Sequence, residues 1–219
     1  MTTHQGFYPW FAGPPLRVTV SLTVVLLVAV LCVAPSPAQD APKQTTTLQG
    51  PEVFRTVTDP QERSRALFVE AGKVILHPRC VNCHPQDDHP RQGMDGHLHE
   101  PPVMRGAGDH GVPAMWCNTC HQATNIDHAR LPGHPSWHLA PRSMAWHGLS
   151  LGAICEQLKD PARNGGKTLA QIHEHMAQDS LVGWGWSPGA GREPAPGTQQ
   201  MFGALIAEWV DTGAECPAN

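Results

Sequence analysis

Two copies of one short pattern carry the most chemistry in this chain: Cys80-Val81-Asn82-Cys83-His84 and Cys117-Asn118-Thr119-Cys120-His121. Two thiols three positions apart can add to the two vinyl groups of one porphyrin, and the histidine that follows reaches the iron as proximal ligand. The spacing predicts two c-type haems, with thioethers at Cys80, Cys83, Cys117 and Cys120 and iron held by His84 and His121. Both C-x-x-C pairs being followed by His is a rare coincidence even with 14 His in 219 residues. A zinc ribbon would read the same cysteines as C-x2-C-x33-C-x2-C, but it gives the two histidines no task. A disulfide within C-x-x-C is usually catalytic rather than structural.

Each iron then needs a distal ligand or keeps an open position. Every His but His4 lies between His77 and His175, so imidazole is in excess where it would be used. His99, just before Pro101-Pro102 in the segment joining the motifs, and His138, beside Trp137, are the first choices. His175 comes next. His97, His110, His128, His134 and His173 stay open, as do Met144 and Met176. Met/His ligation raises the reduction potential, and the excess of His favours bis-His ligation for at least one haem. Arg105, Arg142 and Arg163 are candidates for pairing with haem carboxylates. Trp116, Trp137 and Trp146 lie close enough in sequence to pack on porphyrin faces.

The elements that must position these groups fall into a mostly α fold with extensive irregular loops. Asp59 as N-cap, Pro60 at the first position and Glu62 in a capping box start a helix with an apolar stripe at Leu67, Phe68, Ala71, Val74 and Ile75. That helix runs into the first motif. Residues 84–148 are rich in Pro, Gly and His and have almost no periodic hydrophobics. Two porphyrins would serve as the core there, giving a compact c-type cytochrome. Three helices follow: Ser150 to Leu158 stopped by Pro161, one capped by Thr168 with Gln171, and one carrying Met201, Phe202, Leu205, Ile206, Trp209 and Val210 up to Gly213. The expected division is a signal at 1–38, a flexible leader at 39–57, a dihaem-binding region at 58–148 and a helical C-terminal cap at 149–219.

The apolar run 18–34, preceded by Arg17 and followed by Ser36-Pro37-Ala38, reads as a secretory signal cleaved after Ala38. The alternative is an uncleaved inner-membrane anchor, for which the run is short. Leu31 before Cys32 is too large for the usual lipoprotein processing site. Either way the body is exported to the periplasm, where c-type haem is attached. Outside the motifs and the signal, Cys155 and Cys216 remain, and an oxidising compartment predicts a disulfide between them. The other reading is two buried thiols. A formal net charge of −4 argues against a nucleic-acid-binding surface. Phosphate loops and Ser-His-Asp or H-E-x-x-H arrangements are missing.

The stretches His138-Leu139-Ala140-Pro141-Arg142, Cys155 to Gly166, Leu181 to Trp186 and Gly213-Ala214-Glu215-Cys216-Pro217 resemble a group of small exported bacterial proteins labelled isoquinoline 1-oxidoreductase subunit. The likeness spans most of residues 77–217. It implies a cytochrome serving a molybdenum hydroxylase. The chain has no flavin, molybdopterin or iron–sulfur motif, so it would be the electron-accepting subunit or partner and not itself an enzyme. Its partners would be a dehydrogenase or hydroxylase donor and a respiratory acceptor. The competing expectation is a dihaem enzyme with one open iron, such as a peroxidase.

Overall fold

The structure is a computed structural model that describes residues 47–219. The expected cleavage after Ala38 and Cys32 lie outside the described residues. The described chain is mostly helical, 45% helix and 6% strand, with long irregular loops. No helix among the described residues is long and apolar enough to cross a membrane.

Helix α1 spans Pro60–Ile75. Asp59 forms its half of the expected cap, accepting from the Glu62 N–H at 2.8 Å. Leu67, Phe68, Ala71, Val74 and Ile75 are all fully buried, so the apolar stripe read from the sequence is the face that packs. Three further helices pack with it: α4 (Leu151–Lys159), α5 (Leu169–Gln178) and α7 (Gln199–Asp211). Each begins at a side-chain cap, Ser150, Thr168 and Thr198 respectively. The Thr168–Gln171 capping box forms in both directions. Helix α7 lies against both α1 and α5. Phe68 meets Trp209 with ring centroids 4.8 Å apart. The buried Ser64 hydroxyl donates to the Trp209 carbonyl and accepts from the Glu215 N–H, so α1 grips the C-terminal tail. A disulfide joins Cys155 of α4 to Cys216 in that tail. Burying Leu67, Phe68, Ile154, Leu205 and Ile206 contributes roughly 1.5–3 kcal/mol apiece.

One expectation about domain organisation is corrected. Residues 47–57 were expected within a flexible leader, but they are docked. Pro51–Thr56 form a 3-10 turn against α1 and α7. Leu48 is buried, and the Gln49 N–H donates to Glu70 Oε1 at 2.7 Å. Leu48 and Phe54 supply apolar surface that the helices cover. The C-terminal cap from 149 packs with the part before it. Helix α1 shares one apolar core with the C-terminal helices, Leu48, Met144 and Trp146, and the described residues form one unit.

The loop region from 84 to 148 holds two small antiparallel hairpins that alternation in the sequence did not reveal. Strand β1 (Arg91–Gln92) pairs with β2 (His97–Leu98), and β3 (Gly111–Val112) pairs with β4 (Met115–Trp116). Two-residue strands are too short to show a period. Gly106 lets the backbone close on β3: its φ is +67°, and a Cβ there would sit 1.9 Å from the Gly111 carbonyl oxygen. Arg105 is the polar centre of the region. It is 5% exposed, pairs with Asp109 and Asp88, and donates to the Ala140 and Pro85 carbonyls. It therefore holds the loops together, with its buried Nε left without a hydrogen-bond partner. Arg142 pairs with Asp88, and Arg163 exchanges hydrogen bonds with Ser143.

Candidate cofactor site

Cys80 lies on the short helix α2 (Pro78–Val81), with Cys83 in the turn that continues it, its N–H donating to the Cys80 carbonyl, and Cys117 and Cys120 both lie on α3 (Cys117–Cys120). Such a turn places residues three apart on one face. Pro78 starts the first turn, and His77 caps it by accepting from the Arg79 N–H at 3.2 Å. The first pair is the more enclosed. Burial pushes the Cys80 thiol up to about 12 and the Cys83 thiol up to about 11. Cys117 is half-buried and Cys120 is exposed.

The two motif histidines are held alike. His84 Nδ1 lies 2.7 Å from the Met144 carbonyl, and His121 Nδ1 lies 2.8 Å from the Pro132 carbonyl. A carbonyl only accepts, so each Nδ1 carries the proton and each Nε2 lone pair is free, as a metal-ligating imidazole needs. Each ring also lies flat on a tryptophan. His84 stacks on Trp146 at 3.6 Å and 8°, and His121 on Trp137 at 4.5 Å and 14°. These indoles thus back the imidazoles. Trp116 is 45% exposed beside Cys117.

One irregular stretch, residues 132–147, supplies all of this support. It begins with the Pro132 carbonyl and Trp137 at the second motif. It continues with the Ala140 N–H donating to the Cys83 carbonyl. It ends with the Met144 carbonyl, and with the Trp146 and His147 N–H groups donating to the His84 carbonyl. Sequence reading singled out the tryptophans but not the carbonyls, because any residue type can present a carbonyl.

A second imidazole lies near each motif histidine. The His99 ring lies 5.8 Å from His121, centroid to centroid. Two imidazoles on opposite sides of one metal, each bonded at roughly 2 Å, have centroids roughly 6 Å apart. His99 Nδ1 is tied to the Pro101 carbonyl at 2.9 Å, leaving Nε2 free. At the first motif, His175 and the buried Met176 of α5 line the same cavity as Cys80, Cys83 and His84. His175 Nδ1 is 3.5 Å from Asp179 Oδ2, again leaving Nε2 free. His138 lines this cavity too, with its ring 4.9 Å from His110. His97 and His134 differ, since both of their ring nitrogens are engaged, with Asp95 and Gln92 in one case and Ser136 and Ser180 in the other.

The electrostatics favour neutral rings. Burial lowers His84 to about 4, against the pull of the Met144 carbonyl, with His175 and Arg105 adding to the drop. Burial also lowers His121, with His99 adding to it, and lowers His175 despite Asp179. Neutral imidazole is the form that binds a metal.

These residues fit a haem at each motif. The first cavity has a volume of about 340 Å3 and is mostly apolar. Trp146 Nε1, buried beside it, has no hydrogen-bond partner, and a buried donor of this kind suits a carboxylate on the bound group. Around the second motif, Leu98, Met115 and Trp116 are exposed apolar side chains that a porphyrin would cover. Among the described residues, no three His, Cys, Asp or Glu side chains gather into a metal-binding group, so the four motif thiols do not converge as a zinc ribbon requires. No protein-family model matches the chain, and no curated protein or solved structure is similar to it.

Proposed function

We propose that this protein is a dihaem cytochrome c that carries electrons in the periplasm, accepting them from a dehydrogenase or hydroxylase and passing them to a respiratory acceptor. The observation that carries the reading is the repetition of one arrangement. At each motif a C-x-x-C turn is followed by a His whose Nδ1 is held by a carbonyl, whose ring lies on a Trp, and whose Nε2 is free. Cys80, Cys83, Cys117 and Cys120 would hold the porphyrins covalently, and His84 and His121 would be the proximal ligands. Haem supplies one-electron chemistry, and the chain supplies position and tuning.

His99 is proposed as the distal ligand opposite His121, and His175 opposite His84. His138, on the same cavity wall, is the reserve for the first centre. Bis-His ligation at both centres closes both irons and sets their potentials below those of Met/His centres. It also separates this reading from a peroxidase, which keeps one iron open. The likeness to isoquinoline 1-oxidoreductase subunits supports a molybdenum hydroxylase as the donor.

The test is an absorption spectrum of the protein made in a host that matures c-type haem, recorded oxidised, reduced and reduced under carbon monoxide. Haem bands that carbon monoxide leaves unchanged are the expected result. A partial shift under carbon monoxide would favour the enzyme. A colourless protein would remove the haem reading altogether.

A further inference from the structure

We propose that Trp137 is the electronic bridge between the two redox centres, an inference that rests on the dihaem reading. Trp137 belongs to both sites at once. Its indole is stacked on His121, the proximal histidine of the second motif, at 4.5 Å and 14°. The same side chain lines the cavity that contains Cys80, Cys83 and His84 of the first motif. Electronic coupling falls steeply with every gap between non-bonded atoms. A conjugated ring in stacking contact with one ligand and in the wall of the other cavity shortens that path.

The ring is also fixed in place. Trp184 meets it edge-on, with centroids 4.8 Å apart and planes at 89°. Trp184 is itself held by its Nε1 donating to Asn125 Oδ1 at 2.9 Å and by the Arg79 guanidinium 6.0 Å from its ring. Asn125 Oδ1 accepts in addition from the Gly133 N–H, which ties the clamp to the stretch that carries Trp137. A T-shaped indole pair of this kind is a favourable arrangement for two aromatic rings, so Trp137 has a defined orientation and not a range of rotamers.

The exchange moves one electron from a reduced to an oxidised centre. The dehydrogenase-type donor supplies that electron. No bond forms or breaks, no proton moves, and the indole stays neutral while it provides the path.

The experiment compares the wild-type dihaem protein with Trp137→Phe and Trp137→Leu. One electron is delivered by a flash-excited flavin, and the electron's redistribution between the centres is followed by transient absorption. Both midpoint potentials are titrated alongside. The expected result is a redistribution in Trp137→Leu several-fold slower than its titrated potentials account for, and in Trp137→Phe a rate close to the one its potentials predict. An unchanged rate in Trp137→Leu would overturn the bridge. So would a slowing fully accounted for by a shift in either potential, because that would make Trp137 a packing residue only. A chain without covalent haem would sink the underlying reading, and the absorption spectrum shows that before any rate is measured.

Discussion

At the scale of single residues, function rests on which ring nitrogens are already spoken for. The same Nδ1-to-oxygen tether recurs at His84, His121, His99, His138 and His175, and what separates these from His97 and His134 is Nε2, which is bonded to Gln92 and Ser180 in the latter two. Removing the imidazole that lies near each motif should therefore open one iron at a time. His99→Ala is expected to make the second centre high-spin and reactive to carbon monoxide, and His175→Ala should do the same to the first. Electron paramagnetic resonance of each variant reads this directly. If His175→Ala stays fully low-spin while His138→Ala does not, the assignment at the first centre passes to His138. The two motifs were legible in the sequence because a rigid porphyrin would dictate the spacing of the residues proposed to hold it. The proposed distal ligands were legible only as members of a wider set, since a residue's distance from His121 depends on loops that have no period. That Arg105 is a strut between loops was not readable at all. Its neighbours Asp88, Asp109 and Ala140 meet it through the fold.

At the scale of elements, the caps decide where helices begin, and they were the clearest part of the sequence. Thr168→Ala removes the hydroxyl half of a capping box and leaves the backbone N–H that donates to Gln171, and should lower stability by about 1 kcal/mol, measurable as a shift in urea midpoint. His77 gives a cap that depends on pH. Its pKa is lowered from 6.5, by burial first and then by Arg79, against a smaller opposing effect of Glu193. The unfolded chain thus takes up the proton before the folded one. Stability is present above 6.5 and falls as pH drops below it. His77→Asn keeps an acceptor at the N-cap without the titration. Urea midpoints taken at about pH 8 and about pH 5 should differ less in that variant than in wild type. Equal differences would show that His77 is not the group responsible. The two hairpins were not legible, because two-residue strands are set by turns at Gly96 and Ala114 and by what lies around them.

At the scale of the whole molecule, the helices from both ends of the described chain form one body, and the Cys155–Cys216 disulfide secures it across 61 residues. Cys216→Ser should cost roughly 4 kcal/mol in the loop-entropy account of such a bridge. Thermal melts with and without reductant test this, and a reductant-insensitive melting point would show that the bridge does not form in solution. The uneven distribution of apolar core predicts a second outcome. A variant with all four motif cysteines changed to Ser should keep the far-ultraviolet signature of α1, α4, α5 and α7 but be cut quickly by protease between 84 and 148. Equal protease resistance in the loaded and unloaded proteins would mean that the loops do not depend on haem for their core. The single stretch 132–147 that braces both motif histidines has an evolutionary consequence. A substitution within it alters the surroundings of His84 and His121 together, so selection acting on one centre's potential is felt at the other. The pair is expected to drift as a linked trait, with adjustment of one centre alone confined to changes outside that stretch, near His99 or on α5.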